Sequence, residues 1–109
     1  MSLSKVVHVN DQSLKKIVSE GNVVLVYFWA TWCGPCKMMK SIYDELSLKV
    51  NQGVIIAKAD VEDCPEAAEL FNITSVPTFI FFKNNIEKFR VHGLINLDSL
   101  LKDVEEISV

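Results

Sequence analysis

With three cysteines, three prolines and four glycines in 109 residues, the chain lacks the material for several architectures. Three thiols are too few to staple a small fold, so stability has to come from burial. Half of the residues are hydrophobic, enough for one core at this length. No glycine-, proline- or serine-rich stretch divides the chain and no repeat or low-complexity tract occurs, so residues 1–109 read as a single domain. Neither sign of charge dominates: the net charge is −3 and there is no basic stripe, which argues against nucleic acid as a partner. The longest apolar run, residues 23–30, falls far short of the roughly 20 residues of a membrane span, and the N-terminus lacks the apolar stretch of a secretory signal. A soluble cytoplasmic protein in a reducing compartment is expected, with no membrane partner. An organellar form that has lost a transit peptide would read the same way.

What the chain does have is Trp32-Cys33-Gly34-Pro35-Cys36, two thiols separated by two residues where an apolar strand hands over to a helix. Residues 23–30 carry no charge and are rich in β-branched and aromatic types, the composition of a strand buried on both faces. After Lys37 the period changes: Met39, Ile42, Tyr43, Leu46 and Val50 recur every three or four positions, while Lys40, Asp44 and Lys49 lie off that stripe. An amphipathic helix therefore follows, and Pro35 suits its first turn, where its N–H would have no partner and φ is already helical. A helix N-terminus carries unpaired N–H groups and about half a positive charge, which favours a thiolate placed there. Cys33, ahead of the first turn and expected to face solvent, is the candidate nucleophile. Cys36, one turn in and expected to be covered, is the candidate resolving thiol. Lys37 supports this, because a cation in the first turn opposes the helix dipole but favours a nearby thiolate. No acidic residue lies between Glu20 and Asp44, so the field around the pair is positive.

The spacing points to dithiol–disulfide exchange. A thiolate attacking a substrate disulfide forms a mixed disulfide, and a second thiol within reach attacks that bond and releases reduced substrate. Gly34 and Pro35 offer no side-chain donor or charge to hold the thiolate, so the couple is expected to be reducing. Half of a zinc site shares this spacing, but zinc normally needs four ligands, and only Cys64, His8 and His92 remain, none in a second close pair. No metal or other cofactor is expected.

Along the chain, strands are expected over residues 6–9, 23–30, 54–59, 78–83 and 87–92. Helices are expected from Asn10 or Asp11 onward with Leu14, Ile17 and Val18 inward, after Pro35, over 65–71, and over 97–107. Asn84-Asn85 reads as a hairpin turn and Asn96 as an N-cap. The order βαβαβαββα predicts an α/β fold, a mixed sheet with helices on both faces. The Cys33 turn then lies beyond the carboxyl end of a strand, where sites in such sheets gather.

The segment Phe28-Trp29-Ala30-Thr31-Trp32-Cys33-Gly34-Pro35-Cys36-Lys37-Met38 resembles the active-site segment of the thioredoxin family, and Ser75-Val76-Pro77-Thr78-Phe79 resembles its second signature. The similarity runs from Val6 to about Val104. It implies the thioredoxin fold, with the third strand between the first and second and the fourth antiparallel. It implies that Pro77 is cis and faces the cysteines, that the Val76 backbone pairs with an extended substrate, and that Lys58 matches the family's lysine near the site. Trp32, Gly34, Pro35, Val76, Pro77 and Gly93 would form the docking patch for partner proteins, with His92 at its edge and no role assigned to it. Trp29 reads mainly as a core aromatic. The implied activity is reduction of protein disulfides by a monomer that an NADPH-dependent flavoprotein, thioredoxin reductase, keeps reduced.

Two positions depart from the family pattern. Tyr27 stands where a buried aspartate is usual, removing the expected proton acceptor beneath Cys36; a phenol can donate a hydrogen bond or hold a water instead. Ser41 stands where a helix-kinking proline is usual, predicting a straighter helix. Cys64, at a helix start but among Glu62, Asp63 and Glu66, reads as an inert or partly buried thiol, with a regulatory site as the alternative. Two other functional readings stay open: a specialised oxidase, isomerase or narrow reductase of the same kind, for which Tyr27 is the support, and a non-enzymatic module that binds a partner and uses the cysteines as a switch.

Overall fold

The computed structural model describes residues 4–20 and 23–109; residues 1–3 and 21–22 of the expected domain lie outside them. The element order is β1 (Val7–Val9), α1 (Asp11–Glu20), β2 (Val23–Trp29), α2 (Gly34–Lys49), β3 (Val54–Asp60), α3 (Pro65–Leu70), β4 (Thr78–Lys83), β5 (Ile86–His92) and α4 (Leu97–Ser108). The strands form one mixed sheet in the order β1-β3-β2-β4-β5. β3 runs parallel to both β1 and β2, while β4 is antiparallel to β2 and to β5. The expected α/β thioredoxin fold, with its strand order, is therefore the one observed.

β2 is central, which is why its sequence is apolar without alternation. Leu25 and Tyr27 face α2 and α4, in a cluster with Met39, Tyr43, Leu46, Phe79, Phe81, Leu100 and Val104. Val24, Val26 and Phe28 face α1 and α3, with Leu14, Val18, Ala67, Ile80 and Phe82. Ile17 is only half-buried, at the margin of that second cluster.

Element ends differ from expectation by a residue or two. β1 starts at Val7, β2 stops at Trp29, β3 continues to Asp60 opposite Trp29, and β5 starts at Ile86. Asn84 and Asn85 both have positive φ, 53° and 66°, the pattern of a two-residue type I′ turn that brings Ile86 opposite Lys83. α3 stops at Leu70 because Asn72 turns left-handed at φ 54°. The Asn72 and Ile73 N–H groups close back on Glu69 and Ala68 in a Schellman cap. The Asn96 side chain caps α4, accepting the Ser99 N–H at 2.8 Å. α2 continues unbroken through Ser41.

Candidate active site

β2 ends at Trp29, and the chain turns back so that the Cys33 N–H donates to the Ala30 carbonyl at 3.2 Å. Cys33 is the N-cap of α2 with extended backbone, φ −87° and ψ 111°, and its sulfur accepts the Cys36 N–H at 3.2 Å. An oxygen usually fills that capping position. Cys33 and Cys36 are disulfide-bonded with Cα atoms 5.3 Å apart, a separation that a bridge spans without backbone movement. Cys36 is covered as expected, at 3% exposure, but Cys33 is not the solvent-facing residue anticipated: it is 4% exposed. Its sulfur turns back over the first helical turn to reach Cys36. The exposed surface belongs instead to its neighbours, Trp32 at 70% with Gly34 and Pro35 beside it.

The start of β4 lies next to the end of β2, since Thr78 is opposite Phe28. This register brings Val76 and Pro77 toward the cysteine turn. The Val76–Pro77 bond is cis, Pro77 is buried, and Val76 packs against the cluster that contains Cys33 and Cys36. Gly93 follows β5 at φ 85°, a left-handed conformation that glycine adopts freely, and its N–H donates to the Pro77 carbonyl at 2.9 Å. The Thr78 hydroxyl donates to the Ser75 carbonyl at 2.8 Å and lies 3.0 Å from His92 Nδ1. Sequence reasoning assigns Thr78 no role of its own. The signal for one is a buried hydroxyl opening the otherwise apolar run Thr78-Phe79-Ile80-Phe81-Phe82.

Tyr27 lies beneath the pair. Its hydroxyl donates to the Cys36 carbonyl at 3.0 Å, its ring stacks on Phe79 at 4.8 Å, and it meets Tyr43 edge-on at 5.0 Å. Burial pushes the Tyr27 phenol well above its ordinary value, so it stays protonated and acts as a donor rather than a base. The Tyr43 hydroxyl, between the Ala57 and Leu25 carbonyls at 2.5 and 3.2 Å, bridges β3 and β2 behind it. Lys58 is opposite Tyr27 in β3, and its Nζ lies 4.4 Å from the centre of the Trp29 ring and 5.7 Å from that of Tyr27. Burial lowers the Lys58 ammonium below its ordinary value; the Asp44 carboxylate opposes this shift and Lys40 adds to it.

Cys64 is on the other side of the sheet, fully buried, with its thiol donating to the Val9 carbonyl at 3.3 Å. Burial, then the charges of Asp11, Asp63 and Asp60, push it up to about 11. The acidic neighbours are thus mostly not those the sequence suggests. A covered thiol with its pKa raised fits the inert, buried reading of Cys64.

The Thioredoxin family model matches residues 5–106. The chain belongs to the thioredoxin family. It is 42% identical over 95 residues to a thioredoxin of Rickettsia felis, covering 86% of this chain and 90% of that one. It is 37% identical over 106 residues to the chloroplastic M-type thioredoxin of Spinacia oleracea, covering 96% of this chain but only 59% of the spinach protein. Over 91 residues it is 37% identical to the bifunctional thioredoxin reductase/thioredoxin of Mycobacterium leprae, covering 84% of this chain and 20% of that protein. The structure of a mutant thioredoxin from Halobacterium salinarum superposes with a TM-score of 0.88 at 29% identity, over 100% of this chain and 96% of that one. With its Cys33–Cys36 bridge, the chain is a thioredoxin-type thiol–disulfide oxidoreductase, a protein-disulfide reductase.

Proposed function

We propose that Cys33 attacks the disulfide of a protein substrate and that Cys36 resolves the product. The observation carrying this is the N-cap geometry: the Cys33 sulfur receives the Cys36 N–H at the positive end of α2, where a thiolate is favoured. Attack forms a bond from Cys33 to one substrate sulfur and expels the other as thiolate. The Cys36 thiol then gives its proton to solvent and attacks Cys33, forming the intramolecular bridge and releasing the second substrate thiolate. Two electrons pass to the substrate. An NADPH-dependent flavoprotein, thioredoxin reductase, returns them; the M. leprae protein, named for both activities, supports that pairing.

In this reading Gly34 and Pro35 leave the pair free of competing donors, Pro77 and Lys58 complete the catalytic surroundings, and Trp32, Val76 and Gly93 form the docking face. Trp32, at 70% exposure, is the most exposed aromatic surface beside the bridge. The protein, so read, works as one domain and one monomer in the cytoplasm. Among the described residues no helix is long and apolar enough to cross a membrane. Tyr27 in place of a carboxylate favours a second reading, a specialised oxidase or isomerase.

Insulin reduction driven by reductase and NADPH, or by dithiothreitol, tests the assignment. Cys33→Ser abolishes turnover, whereas Cys36→Ser still attacks and accumulates a covalent mixed disulfide with substrate. Faster alkylation of Cys36 or Cys64 than of Cys33 at neutral pH would overturn the assignment of Cys33 as nucleophile.

A further inference from the structure

We propose that His92 is a positioning residue that shapes the substrate-receiving segment around Val76 by holding Thr78. The inference rests on the reading above, in which that segment pairs with substrate. A threonine hydroxyl has one hydrogen, and here it points to the Ser75 carbonyl at 2.8 Å. The 3.0 Å approach of His92 Nδ1 to the same oxygen is then a hydrogen bond only if Nδ1 carries a proton and donates. Both contacts are satisfied together by the Nδ1–H tautomer, and equally by the imidazolium. They are not satisfied together by the Nε2–H tautomer, in which Nδ1 is an acceptor competing with Ser75 for one hydrogen.

The geometry gives this contact leverage. His92 ends β5 directly opposite Thr78, and the next residue, Gly93, donates to the Pro77 carbonyl at 2.9 Å. The end of β5 thus grips the segment at two consecutive residues, Pro77 through backbone and Thr78 through side chain. Thr78 passes the second grip to Ser75, so the chain on both sides of Val76 is fixed by groups outside it. Thr78 is buried and has only these partners for its hydroxyl among the described residues, whereas His92 is exposed and has no packing reason to sit there. Holding a short segment in its receiving shape beforehand lowers the ordering required when an extended substrate docks.

Nitrogen NMR of the imidazole is the direct test: with the ring neutral, His92 should show a protonated Nδ1 and a bare Nε2. The opposite tautomer overturns the inference. Kinetically, His92→Phe keeps a ring but removes the donor, and should raise KM for a protein disulfide roughly two- to tenfold, the range of one net hydrogen bond, with kcat unchanged. His92→Asn, whose side-chain amide can donate from a similar position, should restore KM to near the native value. Thr78→Val should raise KM by a similar factor, and the double variant by no more than either alone. Trp32→Ala is the control for the docking reading. If it raises KM and His92→Phe does not, positioning by His92 is refuted while the docking face stands. If neither raises KM, the docking reading fails and the inference fails with it.

Discussion

Tyr27 occupies the point in β2 from which a side chain reaches under Cys36, and its phenol donates its hydrogen bond to the Cys36 carbonyl. The carboxylate that acts on nearby Lys58, Asp44, is committed to Lys40 and Ser4, at 3.0 and 2.9 Å. Where the family resemblance implies a proton acceptor, the chain has an aromatic that fills the core between Phe79 and Tyr43. Tyr27→Asp should reverse the exchange. Burial raises the folded-state pKa of the new carboxyl above its unfolded value of about 4, and Lys58 across the strand pair only moderates the shift. The folded state then holds the proton more tightly than the unfolded one. The ionisation penalty is therefore absent below about pH 4 and grows as pH rises toward the folded pKa. Denaturant melts across that window should show the variant losing ground to the native protein as pH increases. The same carboxylate should accept the Cys36 proton and shorten the mixed-disulfide lifetime in stopped flow; equal lifetimes at matched potential would show that resolution does not depend on a base at this position.

At the scale of elements, α3 has lost its own cap. Its N-cap residue, Cys64, makes no side-chain capping bond, and the Asp11 carboxylate at the start of α1 serves instead, accepting the Glu66 and Ala67 N–H groups at 3.1 and 2.8 Å. Asp11→Ala should lower stability by about 0.5–2 kcal/mol, and hydrogen exchange should quicken first at the Glu66 and Ala67 amides. An effect confined to α1 would contradict the cap. This contact also marks the limit of what the sequence discloses. The run 23–30, the period change at Lys37, Asn84-Asn85 and Asn96 are local patterns and are legible in it. The Asp11 cap joins residues 55 apart, and the His92–Thr78 contact exists only because the β4–β5 register makes them opposite. The burial of Cys33 escapes sequence reading for a related reason: helix phase predicts which way a Cα points, but not that a bridge turns the sulfur inward.

For the whole molecule, the sign of the stability difference between redox forms separates a reducing couple from an oxidising one. The bridge closes a four-residue loop, Cys33 to Cys36, and in the chain-entropy account a loop that short stabilises the oxidised fold by roughly 2 kcal/mol through the unfolded state. The folded chain already holds the two Cα atoms 5.3 Å apart, so the bridge forms without moving backbone. Opposing it, the N-terminus of α2 favours a Cys33 thiolate in the reduced form by about 0.3–1 kcal/mol. Gly34 and Pro35 add no side-chain donor or charge to that smaller effect, so the bridge prevails. The oxidised protein should melt above the reduced one by on the order of 5–10 °C. Linkage then requires the folded couple to have a lower potential than the same pair in the unfolded chain, by about 30 mV for each 1.4 kcal/mol. Calorimetry on both redox forms at neutral pH reads the sign. A reduced form melting higher would mean that the fold stabilises the dithiol, the signature of an oxidising couple, and would favour the oxidase or isomerase reading that Tyr27 leaves open.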